Sequence, residues 1–201
     1  MIVEKRNRHA TLRAMKSIVV LLLLLTSGLS VRGVGQESLV NFKHLQHLTE
    51  RIEFGRRLDS LSGDSVDIVH IYANAPDYAW VDAKESGPEG IACVDDAARA
   101  AVVYLRHFEL TKNKESLARA KAILAFVMKM QADDGEFYNF ILADHSINKD
   151  GKTSFKSFGW WAARGVWCMA LGERMFQSVD PTFAKQLRSG VERALPHIDI
   201  L

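Results

Sequence analysis

Only two cysteines, Cys93 and Cys168, occur in 201 residues, and no His/Cys spacing of the zinc-binding kind accompanies them. The sequence has no glycine-rich phosphate loop and no Gly-x-Ser-x-Gly elbow, which removes P-loop nucleotide chemistry and the α/β-hydrolase mechanism. It also lacks a basic stripe. The formal net charge of +2 comes from 26 basic and 24 acidic side chains, but residues 1–35 carry six of the bases and one acid. The remainder holds 20 and 23, a net charge of −3, so nucleic acid is not an expected partner.

What the N-terminus does hold is a pattern of export. Lys16 precedes an apolar run from Ile18 to Leu25, followed by small residues at Thr26–Ser30 and Gly33–Gly35. Residues 1–35 therefore read as a signal peptide, with Met15-Lys16 able to serve as a compact start and cleavage after Ser30 or Gly35. The run is short for a bilayer span, so an uncleaved anchor is the weaker alternative. The mature chain is expected in the periplasm or outside the cell, with no membrane association. In that compartment two cysteines invite a disulfide. Helix geometry opposes it: Cys93 precedes one expected helix and Cys168 lies roughly ten residues into another, an offset of about 15 Å. Two separate buried thiols are expected.

Apolar residues recur at helical spacing over about 95–111, 114–131, 159–177 and 181–195, and an amphipathic helix is expected around 38–55. No stretch alternates clearly as a strand. Thr111–Asn113 and Ser178–Asp180 read as tight turns, whereas 59–93 and 132–158 are long excursions of the functional kind. The triplets Ala97-Ala98-Arg99 and Ala162-Ala163-Arg164 recur 65 residues apart, the period of a helical hairpin plus one long loop. The fold expected is all-α, with α-hairpin repeats forming an (α/α) toroid. In such an array both long loops return to the N-termini of the first helix of each pair. Those two helices should lie side by side and parallel, with 132–158 crossing the cavity mouth.

Residues with chemical potential collect on that face. Asp95 and Asp96 open the stretch at 95–111, where one could cap and the other face the cavity. Asp144 is the next carboxylate candidate. Tyr138 and Asn139, after the Asp134-Gly135 turn, offer a hydroxyl and an amide to sugar hydroxyls. Tyr78, Trp80, Trp160 and Trp161 are candidate stacking platforms for sugar rings, while Trp167 reads as core. Arg164 could meet a substrate carboxylate or anchor a catalytic acid. The run Ser146–Ser157 imitates a calcium loop but starts and ends on serine, so it reads as a hydrophilic turn. Neither metal nor cofactor is expected.

Three segments also carry a resemblance: Gly90-Ile-Ala-Cys-Val-Asp-Asp-Ala-Ala-Arg-Ala100, Asp134-Gly-Glu-Phe-Tyr-Asn-Phe-Ile141 and Ala163-Arg-Gly-Val-Trp-Cys-Met-Ala-Leu-Gly172. They resemble, in order, segments of the six-hairpin glycosidase-like superfamily, most closely bacterial toroid domains found beside glycosyltransferase modules. Trp161-Ala-Ala-Arg-Gly165 is similar to a Trp-Ala-Arg-Gly segment of unsaturated glucuronyl hydrolases, with one alanine more. The resemblance covers about residues 90–175. It implies a sugar cleft at the N-terminal ends of the inner helices, an oligo- or polysaccharide partner, and glycoside hydrolysis by paired carboxylates. A complete six-hairpin toroid takes on the order of 350 residues at this repeat length, so residues 36–201 would be its N-terminal part, a fragment or a partial array. A saccharide-binding toroid without catalysis, a polysaccharide lyase and a helical scaffold for protein partners are the alternatives.

Overall fold

The computed structural model describes residues 40–54 and 64–198. The expected signal peptide lies outside the described residues, and one compact unit begins at Phe42. Among the described residues, no helix is long and apolar enough to cross a membrane.

The two long helical hairpins form as the spacing requires. Helix α2 (Val94–Thr111) ends on Lys112, whose left-handed backbone returns its N–H to the Phe108 carbonyl. Asn113 then caps α3 (Lys114–Lys129), accepting the Ser116 N–H at 2.9 Å. The second pair is α4 (Trp160–Phe176) and α5 (Pro181–Ile198). Proline at the first position of α5 gives up no helical bond, and the Asp180 carboxylate accepts the Phe183 N–H at 3.1 Å. Ion pairs fix the relation of α2 to α4. Asp95 meets Arg164 at one end, and Glu109 meets Arg174 at 2.9 Å at the other. The two helices therefore run side by side in the same direction. Small residues permit the approach: a Cβ on Gly165 would lie 3.3 Å from Val94 Cγ1, and one on Gly172 only 2.7 Å from Leu124 of α3. Leu124 and Leu187 are fully buried there, each contributing about 2 kcal/mol by removal from water.

The all-α toroid expected from the sequence is not what the chain forms. The fold is mixed, 50% helix and 19% strand, with three small antiparallel sheets beside five helices among the described residues. The expected helix over 38–55 shrinks to α1 (Lys43–His47), and Thr49 already begins β1 (Thr49–Phe54). That strand pairs with β2 (Asp64–Val69), Ile52 opposite Val66 and Arg51 opposite Asp67. Ile52, Phe54, Val66 and Ile68 are buried, and Phe54 meets Phe126 of α3 edge-to-face at 6.0 Å. The hairpin thus packs against α3. Arg51-Ile52-Glu53-Phe54 does alternate, but Leu45, Leu48 and Ile52 also fit a helical stripe. The β-branched side chains of β2 decide the matter by pairing.

Two smaller ribbons follow: β3 (Tyr72–Asn74) with β4 (Ala79–Val81), and β5 (Ala92–Cys93) with β6 (Phe140–Ile141). The second ties the start of α2 to the 132–158 excursion. Helix α4 also departs from expectation. Trp167 reads as core in the sequence, yet it is 50% exposed, and Trp160 is 56% exposed. They lie seven residues apart, two turns along one face, and that face is turned outward.

Candidate functional site

Where β5 hands over to α2, the strand pairing and the helix start together build a cleft. Val94 N–H donates to the Asn139 carbonyl at 2.9 Å, so the backbone just before β6 holds the first turn of α2. Cys93 is the helix cap, its sulfur accepting the Asp96 N–H at 3.5 Å. Neither aspartate is needed as cap, and both line the cleft, a space of about 240 Å³. Trp160, from the first turn of α4, lines it too. Asn139 and Thr153 reach it from the long excursion, and Tyr72, Glu85 and Glu89 from the ribbons.

The carboxylates differ in their partners. Asp95 accepts from Arg99 at 2.9 Å and from Arg164 across the helix pair, so both arginines of the repeated triplet close on one acid. That commits Asp95 to joining α2 and α4, and Arg164 to Asp95 rather than to a ligand. Asp96 has one oxygen 3.3 Å from Arg99 and accepts the Cys93 thiol at 3.4 Å. Glu89 is only 6% exposed. It accepts the Thr153 hydroxyl at 2.5 Å and the Glu85 N–H at 3.1 Å. The Glu85 carboxylate accepts from the Tyr72 hydroxyl, which raises the phenol and lowers the acid; burial, Glu89 and Asp96 raise Tyr72 further. Tyr72 is therefore a proton-bearing donor at neutral pH.

Asn139 is 3% exposed. Its Nδ2 donates to the Thr153 carbonyl at 3.0 Å, and a carbonyl can only accept, which fixes the amide's orientation. Its Oδ1 has no hydrogen-bonding partner. The expected calcium mimic proves structural: Asn148 donates to the carbonyls of Pro88 and Glu89 at 3.0 and 2.7 Å and accepts from Gly151 N–H at 2.9 Å. It clips the excursion to the Glu89 turn. Among the described residues, no cluster of His, Cys, Asp and Glu could hold a metal ion.

Of the residues singled out from sequence, Asp95, Asp96, Asn139 and Trp160 meet in this cleft. The others do not. Asp144 is exposed and turns back on Ser146, accepting its N–H at 3.0 Å and its hydroxyl at 2.6 Å, which holds its carboxyl low. Tyr138 is half-buried beneath Lys149, 5.8 Å from its ring. Trp161 is buried and donates its indole N–H to the Phe137 carbonyl at 3.1 Å. Tyr78 and Trp80 fasten α1 instead: Trp80 donates to the His47 carbonyl at 3.1 Å and stacks on His70 at 3.8 Å, and the Tyr78 carbonyl lies 2.7 Å from His47 Nε2. The pairing register explains this, because Trp80 is opposite Ala73 and so shares its face, the one opposite to Tyr72. Glu85, Glu89 and Tyr72 were missed in the sequence. Glu89 stands one position before the Gly90 segment, inside a stretch read as loop.

Both cysteines are free and buried, as the helix offset required. Burial pushes both thiols up, Cys93 also through Asp96. In the folded protein at pH 8, both are expected to react with a disulfide reagent at least roughly a hundredfold slower than in denaturant. A fast-reacting equivalent without denaturant would show that one of them is open to solvent.

Comparison with family models and with curated proteins finds no match to either.

Proposed function

We propose that the cleft binds a sugar ring and that the chain is a carbohydrate-active enzyme hydrolysing a glycosidic bond. One observation carries the reading: two separately held carboxylates, Glu89 and Asp96, share a small cleft with an exposed indole, Trp160. Hydrolysis of a glycoside needs a proton donor for the leaving oxygen and a second carboxylate on the other side of the ring. Glu89, held by a hydroxyl and a backbone N–H with no cation beside it, is one member of that pair. Asp96, beside Arg99, suits the base or nucleophile. Trp160 offers its indole to the apolar side of the ring, and the exposed Tyr72 hydroxyl meets its polar edge. Asp95 positions the two helices and is no longer assigned to the chemistry, nor is Asp144. A lyase acting on uronic acids is disfavoured, because Arg164 is held by Asp95 and the remaining cleft is acidic.

The test is a panel of polysaccharides, read for binding and for reducing-end release. Glu89→Gln and Asp96→Asn are each expected to lower turnover by at least about 100-fold. Trp160→Ala should weaken binding roughly tenfold, while Asp144→Asn changes neither. Binding without product in the native chain would leave the saccharide site and remove the enzyme. Full activity in both carboxamide variants would remove this pair of acids.

A further inference from the structure

Helices α2 and α4 start at the cleft and end, about 25 Å away, at the two tight turns. There they form, with α3, a groove of about 610 Å³, within the range of small-molecule sites. Its interior is apolar. Leu117 of α3 and Phe176 of α4 make the buried side, 8% and 2% exposed, and Phe108 and Val179 continue it outward. Among the described residues that line it, none carries a hydroxyl or amide side chain. A sugar finds no side chain of its own kind here, so this groove stands apart from the saccharide reading.

Its charge is mostly of one sign. Three ammonium groups, those of Lys112, Lys114 and Lys121, face one acid, Asp180, which Lys121 already holds at 2.6 Å. Lys112 donates to the neutral Glu109 carbonyl at 3.0 Å, and its ammonium lies 5.7 Å from the centre of the Phe108 ring. The Glu109 carboxylate is itself held between Arg106 at 2.7 Å and Arg174 at 2.9 Å. The acid next to Lys114, Glu115, lies 3.9 Å from Arg119. Two cations are therefore left without a carboxylate at an apolar groove, which is the complement of an amphiphilic anion.

We propose that this groove binds a single alkyl chain with an anionic head, a free fatty-acid carboxylate. The chain lies along Leu117 and Phe176, and the carboxylate meets Lys112 and Lys114. A single chain can enter beside side chains this deeply buried, whereas the plane of a bilayer does not reach them.

The whole chain is titrated calorimetrically at pH 7 and low salt with hexanoate, octanoate, decanoate, 1-octanol and octylammonium, all below micelle formation. Each two added methylenes are expected to tighten carboxylate binding roughly tenfold. Octanoate should bind about fivefold tighter than 1-octanol, with octylammonium weakest. Lys112→Glu/Lys114→Glu, at two exposed positions, should erase the preference for the carboxylate and leave 1-octanol binding unchanged. Ala118→Phe, on the exposed side of α3 within the groove, should abolish binding of all three carboxylates. The chain-length and head-group series use the native chain and decide the matter if a variant misfolds. No gain with chain length, octylammonium as tight as octanoate, or a folded Ala118→Phe protein that binds normally overturns the proposal. So does sedimentation with phosphatidylglycerol vesicles that decanoate fails to reverse, which would make the face a membrane contact. A dimer in analytical ultracentrifugation that Ala118→Phe dissociates would seat a second copy there and overturn it too.

Discussion

The Gly90→Ala variant is expected to lose about 3 kcal/mol of unfolding free energy, and the cleft with it. Gly90 has φ +149, and a Cβ there would stand 2.1 Å from the Ile141 carbonyl oxygen and 2.9 Å from its carbon. Both atoms are backbone, so no rotamer change relieves the contact. The chain must instead part where Ile91 N–H donates to that same carbonyl at 2.9 Å and Ala83 N–H donates to the Gly90 carbonyl at 2.8 Å. Glu89 is the next residue and would move with it. Gly87→Ala is the control. Its φ is +106, but nothing lies within 4 Å of the added methyl, so it should cost only about 1 kcal/mol of backbone strain. Urea unfolding of both variants separates the collision from the strain. A Gly90→Ala loss no larger than that of Gly87→Ala would show that β5 and β6 can part without penalty.

Removing Arg51 and Arg119 together is the second large effect. Asp67 on β2 is fully buried. Arg51 faces it across the hairpin, and Arg119 of α3 approaches its Oδ2 to 3.7 Å, an oxygen with no hydrogen bond of its own. The Arg51→Ala/Arg119→Ala protein would hold a buried carboxylate with neither cation. Such a charge typically costs 3–5 kcal/mol, and water entering beside these partly exposed arginines lowers the expectation to about 3 kcal/mol. Adding Asp67→Asn should restore a large part of it, because the neutral amide has no charge to leave unpaired. If the double variant unfolds within about 0.5 kcal/mol of the native chain, the ion pairs do not hold the hairpin to α3.

The parts of this molecule that could be read in advance share a property: their information is local. The turns at Lys112–Asn113 and Asp180–Pro181 are set by a left-handed cap, an N-cap and a proline at the first helical position, all within four residues. The parallel placement of the helices at Val94 and Trp160 then follows from connectivity, and with it the meeting of Asp95, Asp96, Asn139 and Trp160. The strands were hidden because theirs is pairing information. Thr49–Phe54 has charges at Glu50, Arg51 and Glu53 that suit the wet face of a helix equally well. Only the partner, bringing Val66 and Ile68 onto Ile52 and Phe54, makes period two the lower-energy choice.

By itself, then, the sequence determined the two helical hairpins, their tight turns, the separation of the two thiols and the face on which the acids at 95 and 96 open. The cap of the first long helix fell to Cys93 rather than to an aspartate. Tertiary structure alone decided that the fold is mixed rather than all-helical. It also decided that Arg164 belongs to Asp95, and that Tyr78 and Trp80 anchor α1 while Asp144 closes a turn. The composition of the cleft was likewise a tertiary matter. Glu89 reaches Thr153 over 64 positions, and Asn148 clips the Pro88–Glu89 turn from 59–60 positions away. Such contacts have no periodicity, because they depend on where a long loop returns and which buried polar atoms it must satisfy there.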